Sequence, residues 1–136
     1  MSAPAVAADG KGDLAFAWKD MRAGEPNVFA RIVNSTAAGE EFRLHSTPAG
    51  EQNHPAIAWD RNIGFVAAWS DARSTPQRIY GRRLREGAEF ALSAVEEGQA
   101  AFPSVAARSG TVVVAYEVTS NSRTDVRLRA IDPGKS

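Results

Sequence analysis

Apolar positions in this chain fall in short runs that recur in a fixed order, and no stretch sustains helical spacing. Pro4-Ala-Val-Ala, Pro55-Ala-Ile-Ala and Pro103-Ser-Val-Ala each open a segment. An apolar run ending in a large aromatic follows each: Leu14-Ala-Phe-Ala-Trp18, Phe65-Val-Ala-Ala-Trp69 and Val112-Val-Val-Ala-Tyr116. A β-branched residue stands ten positions past each aromatic (Val28, Ile79, Val126), and an arginine stands thirteen past (Arg31, Arg82, Arg129). Gly, Asn, Asp and Pro fill the gaps between runs. The pattern predicts four short strands per unit. The first is the Pro-led segment and the second the apolar run. The third covers Asn27 to Val33, Arg78 to Leu84 and Asp125 to Ile131; the fourth covers Glu41 to His45 and Glu89 to Ser93.

The second strand is apolar on both faces, whereas Glu41-Phe-Arg-Leu-His45 alternates like a solvated edge. A doubly covered inner strand with a half-exposed outer one describes a propeller blade, and a repeat of about fifty residues suits four-stranded blades. The expected fold is therefore all-β: a single partial β-propeller domain over 1–136, with blades at about 4–54, 55–102 and 103–136. The first unit opens with Met1 to Ala3 ahead of its proline. The third ends after its third strand, at Ile131-Asp-Pro-Gly-Lys-Ser136, so its blade is expected to lack an outer strand. Three blades leave two apolar faces in water, a cost of about 25 cal/mol per Å². Two copies would close a six-bladed ring, an ordinary propeller size, so the expected partner is the chain itself as a homodimer.

Length and charge narrow the functions. The chain has 136 residues, the size of one domain, and its sixteen basic residues balance sixteen acidic ones. That balance offers no drive toward nucleic acid or an anionic membrane. With no cysteine, disulfides and thiolate metal sites are excluded. No run is long enough to span a membrane and the first residues do not read as a signal peptide, so a soluble protein is expected.

The middle unit carries the fullest motif: Pro55-Ala-Ile-Ala-Trp-Asp, Gly64-Phe-Val-Ala-Ala-Trp-Ser-Asp-Ala-Arg73 and Ile79-Tyr-Gly-Arg-Arg-Leu84. It resembles the repeats of large secreted bacterial proteins, which combine a Pro-Ala-Val-Ala start, a Trp-x-Asp-x-Arg turn and an Ile-Tyr-Gly-x-Arg strand. In general plan these are similar to sialidase-like and Asp-box propellers. The third unit departs from the motif, with Tyr116-Glu-Val-Thr-Ser120 in place of Trp-x-Asp-x-Arg. The resemblance implies a propeller of secreted or cell-surface ancestry and brings no catalytic residues.

In a four-stranded blade the second-to-third loop and the linker into the next blade open on one face, and strand-end loops on a rigid scaffold often bind ligands. That face should gather Lys19 to Arg22, Ser70 to Arg73 and the linkers Glu51-Gln52-Asn53-His54 and Glu97 to Phe102. Asp20 with Arg22, and Asp71 with Arg73, read either as a metal or ligand carboxylate beside an anion-binding guanidinium, or as a turn cap. Recurrence favours the cap. His54 has the chemistry of a general base or metal ligand, or is an ordinary loop histidine, whereas His45 reads as surface. Trp18, Trp69 and Tyr116 read as core, and Trp59 as the candidate exposed aromatic. Asp9-Gly-Lys-Gly-Asp13 reads as a hairpin.

Two functions follow. One is a self-assembling binding module for glycans or another small-molecule or surface ligand, using Asp20, Arg22, Gln52, Asn53 and Trp59. The other is a metal-assisted hydrolase of phosphoesters or esters. There Asp20, Glu51 and Asp71 would hold a divalent cation such as calcium or zinc, with His54, Asp71 and Arg73 as catalytic groups.

Overall fold

The computed structural model describes residues 4–47, 49–85 and 87–131. Alternation of buried and exposed positions produces eleven strands and one short 3-10 helix, Val95–Glu97. The first sheet is β1 (Ala5–Ala8), β2 (Leu14–Asp20), β3 (Asn27–Val33) and β4 (Phe42–Arg43). The second is β5 (Gln52–Asp60), β6 (Gly64–Asp71), β7 (Arg78–Arg83) and β8 (Phe90–Ala91). The third is β9 (Gln99–Arg108), β10 (Thr111–Ser120) and β11 (Arg123–Ile131). Every pairing is antiparallel between neighbours in sequence, and the Met1–Ala3 and 132–136 segments lie outside the described residues. No helix is long and apolar enough to cross a membrane.

The sheets stack face to face in chain order, and register decides which face meets which. Ala17 pairs with Ala30 and Ala15 with Ile32, so these residues share one face of the first sheet. That face packs against Ile57, Phe65, Ala67, Trp69 and Leu84 of the second sheet. The opposite face of the second sheet, with Val66, Ala68 and Ile79, packs against Val112, Val114, Tyr116 and Val118 of the third. Equivalent positions of the repeat thus make both junctions: a face of small and β-branched residues meets a face led by a large aromatic. Because β6 is covered on both sides, Phe65 through Asp71 are all buried, as the doubly apolar run requires.

Three expectations need correction. The outer strands are two residues long rather than five. Their ladders stop because side chains take over: His45 Nε2 accepts the Val28 N–H at 3.1 Å and Ser93 Oγ accepts the Ile79 N–H at 2.9 Å. His45 is consequently buried, not a surface residue. The linkers around His54 and Phe102 are not loops either, since both lie inside the long inner strands β5 and β9. Each sits at a register break just before the proline, with φ of 55° and 57° respectively. The extra residue of such a bulge takes up the turn that a linker would otherwise make.

Candidate functional site

The expected convergence of loops and strand starts forms at one end of the stack. Gln52 N donates to Pro26 O at 3.0 Å, Ala72 N to Glu51 O at 2.8 Å and Ala100 N to Gln77 O at 2.9 Å. β5 is therefore stitched to the loops on both sides of it, and β9 to the loop of the preceding sheet.

Within this end the Trp-x-Asp-x-Arg element is a closed circuit. Asp71 is fully buried and accepts Trp69 Nε1 at 2.9 Å, Gln52 Nε2 at 3.2 Å, the Arg73 backbone N at 3.0 Å and both Arg73 Nε and Nη2. Burial pushes the Asp71 carboxyl up, but the hydrogen bonds from Arg73, Trp69 and Gln52 outweigh it and hold the group below its usual range. Arg73 continues to Glu89 through two hydrogen bonds and lies over the Tyr80 ring, 4.0 Å from its centroid. Glu89 then accepts the backbone N and hydroxyl of Ser46, which follows β4 of the preceding sheet. Burial raises the Glu89 carboxyl, yet Arg73 and Ser46 bring it down to about 2.

The first unit repeats the circuit with Trp18, Asp20, Arg22 and Glu41, and the bonds to Arg22 hold Asp20 at about 2. In the third unit Tyr116 Oη instead donates to Glu97, which also faces Arg129 at 3.2 Å. The element ties strand to loop and, in the second unit, sheet to sheet. Asp71 has no lone-pair direction left for a cation, and among the described residues no group of three His, Asp or Glu side chains is placed to hold one.

The remaining candidates disperse. His54 packs against Phe102 at a tilt, with ring centroids 4.3 Å apart, and its buried Nδ1 has no hydrogen-bond partner among the described residues. Burial, then the nearby Lys19 charge, push its pKa below the usual imidazole value. Asn53 pairs with Ser70 across β5 and β6, and Glu51 is exposed and offers its backbone carbonyl to the fold. Neither they nor His54 share a hydrogen bond with Asp20 or Asp71. Trp59 lies at the other end of β5, half-buried, packed on the first core cluster and lining a cleft of about 520 Å³.

His45, expected at the surface, is buried, and its geometry makes it a pH-sensitive joint. Its Nδ1 donates to Thr47 O at 2.5 Å while Nε2 accepts from Val28, an arrangement open only to the neutral ring. Burial lowers its pKa, against the Thr47 bond and the Asp71 charge, with Arg43 and Arg73 adding to the lowering. A histidine depressed in the folded state stabilises the fold above its unfolded pKa of about 6.5, and that contribution is lost as pH falls through the folded value. His45→Ala is expected to cost about 1–3 kcal/mol, the price of a buried unsatisfied N–H. Urea titrations at neutral pH and near pH 5 check both statements: the wild-type loss on acidification should shrink in the variant.

No protein-family model matches the chain, and no curated protein matches it in sequence.

Proposed function

We propose that the three sheets are blades of a β-propeller, that a second copy completes the ring to six blades, and that the ring is a binding module for carbohydrate. The observation that carries this reading is the relation between the two free faces. On the third sheet Val113, Val126 and Leu128 are exposed, the last two at 71% and 74%, although they occupy the positions of Ala15, Val28 and Ala30, which are 0% exposed. On the first sheet Phe16, Trp18 and Phe29 face outward at the positions of Ala67, Trp69 and Tyr80. The Trp18–Phe29 stack, centroids 6.4 Å apart at 25°, matches the buried Trp69–Tyr80 stack at 6.5 Å and 21°. One free face is the small-residue half of the junction the chain builds twice, and the other is its aromatic half. A second copy supplies each with its complement, head to tail, and a twofold rotation satisfies both at once.

The hydrolase reading rests on Asp20 and Asp71 as metal ligands, and both are held by arginine and tryptophan donors; no observation favours it over binding.

Light scattering at micromolar concentration is the test. The wild-type protein should run at about twice the chain mass. Leu128→Asp, which sets a charge where the neighbouring copy would pack, should run as a monomer with unchanged strand content. A monomeric wild-type protein that is fully folded sinks the proposal.

A further inference from the structure

The end of the stack opposite the loop circuit carries a feature that no repeat motif explains. The hairpins that join first to second strands come together there from all three sheets. Lys11 belongs to the first, Trp59, Asp60 and Arg61 to the second, and Arg108 to the third, and they line the cleft of about 520 Å³. The volume lies in the range of small-molecule sites.

Trp59 differs from the other tryptophans. The indole N–H groups of Trp18 and Trp69 are spent on Asp20 and Asp71. Trp59 has no such bond among the described residues, so its half-buried ring lines the cleft with a free donor. Around it, the side chains of Lys11, Arg61 and Arg108 are exposed and make no ion pair or hydrogen bond among the described residues; Lys11 meets Asp9 through its backbone N–H, at 2.6 Å. Elsewhere in the chain arginines are largely absorbed: Arg22, Arg73, Arg82 and Arg129 all hold carboxylates or carbonyls. Asp60, the acid within the cleft, is buried, and its oxygens accept the backbone N–H groups of Asn62 and Gly110. It joins the second and third sheets and so fixes the cleft floor. Three cations without an ion pair, set against the one carboxylate of Asp60, leave the cleft net positive in a chain with zero net charge and favour an anion there.

We propose that this cleft binds an acidic saccharide. One pyranose ring lies with its C–H face on Trp59, and its sulfate or carboxylate groups are held by Lys11, Arg61 and Arg108. This rests on the binding-module reading and names its ligand class. Nucleic acid fits less well, because three cations around a single cleft make no track for a phosphate backbone and the rest of the chain adds no excess charge.

Calorimetric titration of the full chain tests this with four probes: a sulfated heparin-type disaccharide, a galacturonate disaccharide, neutral cellobiose and adenosine monophosphate. One or both acidic disaccharides should bind, which of them telling sulfate from carboxylate, and added salt should weaken the binding. Arg108→Glu and Lys11→Glu, both exposed and safe for folding, should each weaken it about tenfold or more, as should Trp59→Ala if that variant folds. Arg123→Ala, a remote surface arginine, should leave the affinity unchanged. The proposal is overturned if neither acidic disaccharide binds saturably, if cellobiose or the nucleotide binds as tightly, or if both charge reversals leave the affinity intact. The cleft lies within one chain, so Leu128→Asp should retain binding. Its mass reports on ring closure and its affinity on the cleft, and each can fail without the other.

Discussion

Trp69→Ala is expected to lower stability by about 3–5 kcal/mol, the range for removing a large buried aromatic. The indole is 0% exposed, packs among Ala15, Ala17, Val28 and Ala30 of the preceding sheet, stacks on Tyr80 and meets the His45 ring at a tilt. Its loss opens a cavity at the centre of the first junction, where Ala15, Ala17 and Ala30 are too small to collapse into it. It also strips Asp71 of one donor. Trp59→Ala removes a ring that is half-buried and has no hydrogen bond among the described residues, so its cost should be clearly smaller. Denaturant unfolding of both variants decides the matter, and equal losses would show that the face assignment of the inner strands is wrong.

The sequence made the repeat and the strand alternation legible, because side chains two positions apart share a face and every junction must bury one. From that follow the three antiparallel sheets, the four-strand order of the first two, and the burial of Trp69 and Tyr116. Chemistry that depends on distant partners was not legible. Glu41 and Glu89 looked like the polar half of an edge strand, yet they close the arginine circuits from nineteen and sixteen residues away. His45 alternates with Leu44 and so was expected in water. A side chain that replaces a ladder carbonyl leaves no trace in alternation, and only its equivalence to Ser93 hinted at the role. In the third unit the missing Asp at position 118 suggested a lost element. The structure supplies the carboxylate from Glu97, a substitution across elements that no linear motif encodes. The cleft around Trp59 was half legible. The tryptophan stood outside the repeat, but Lys11, Arg61 and Arg108 each look like an ordinary hairpin residue until the sheets stack.

Asp71→Ala should cost about 3–5 kcal/mol, because removing one partner of a buried ion pair strands the other. Four donor groups each lose an acceptor at once: the Trp69 indole, the Gln52 amide, and the backbone and guanidinium of Arg73. Gln52 is fully buried with its Oε1 already unpartnered, and its Nε2 would keep only the Ala49 carbonyl at 2.7 Å. Arg73 keeps Glu89 but loses the bidentate grip that aims it there. Asp125→Ala is the comparison, since among the described residues that carboxylate's one ion pair is with the exposed Arg123, and it should matter little. The wild-type acid limb gives a second readout. Asp71 and Glu89 both have folded pKa values below their unfolded ones, so their stabilisation is complete above about pH 4–5. It is lost as pH falls through the folded values, which for Glu89 is about 2. Asp71→Ala should therefore be less stable at neutral pH and lose less on acidification between about pH 4 and pH 2. If Asp71 were instead a ligand or metal carboxylate standing free in the loops, its removal would leave both the melting curve and this acid limb unchanged.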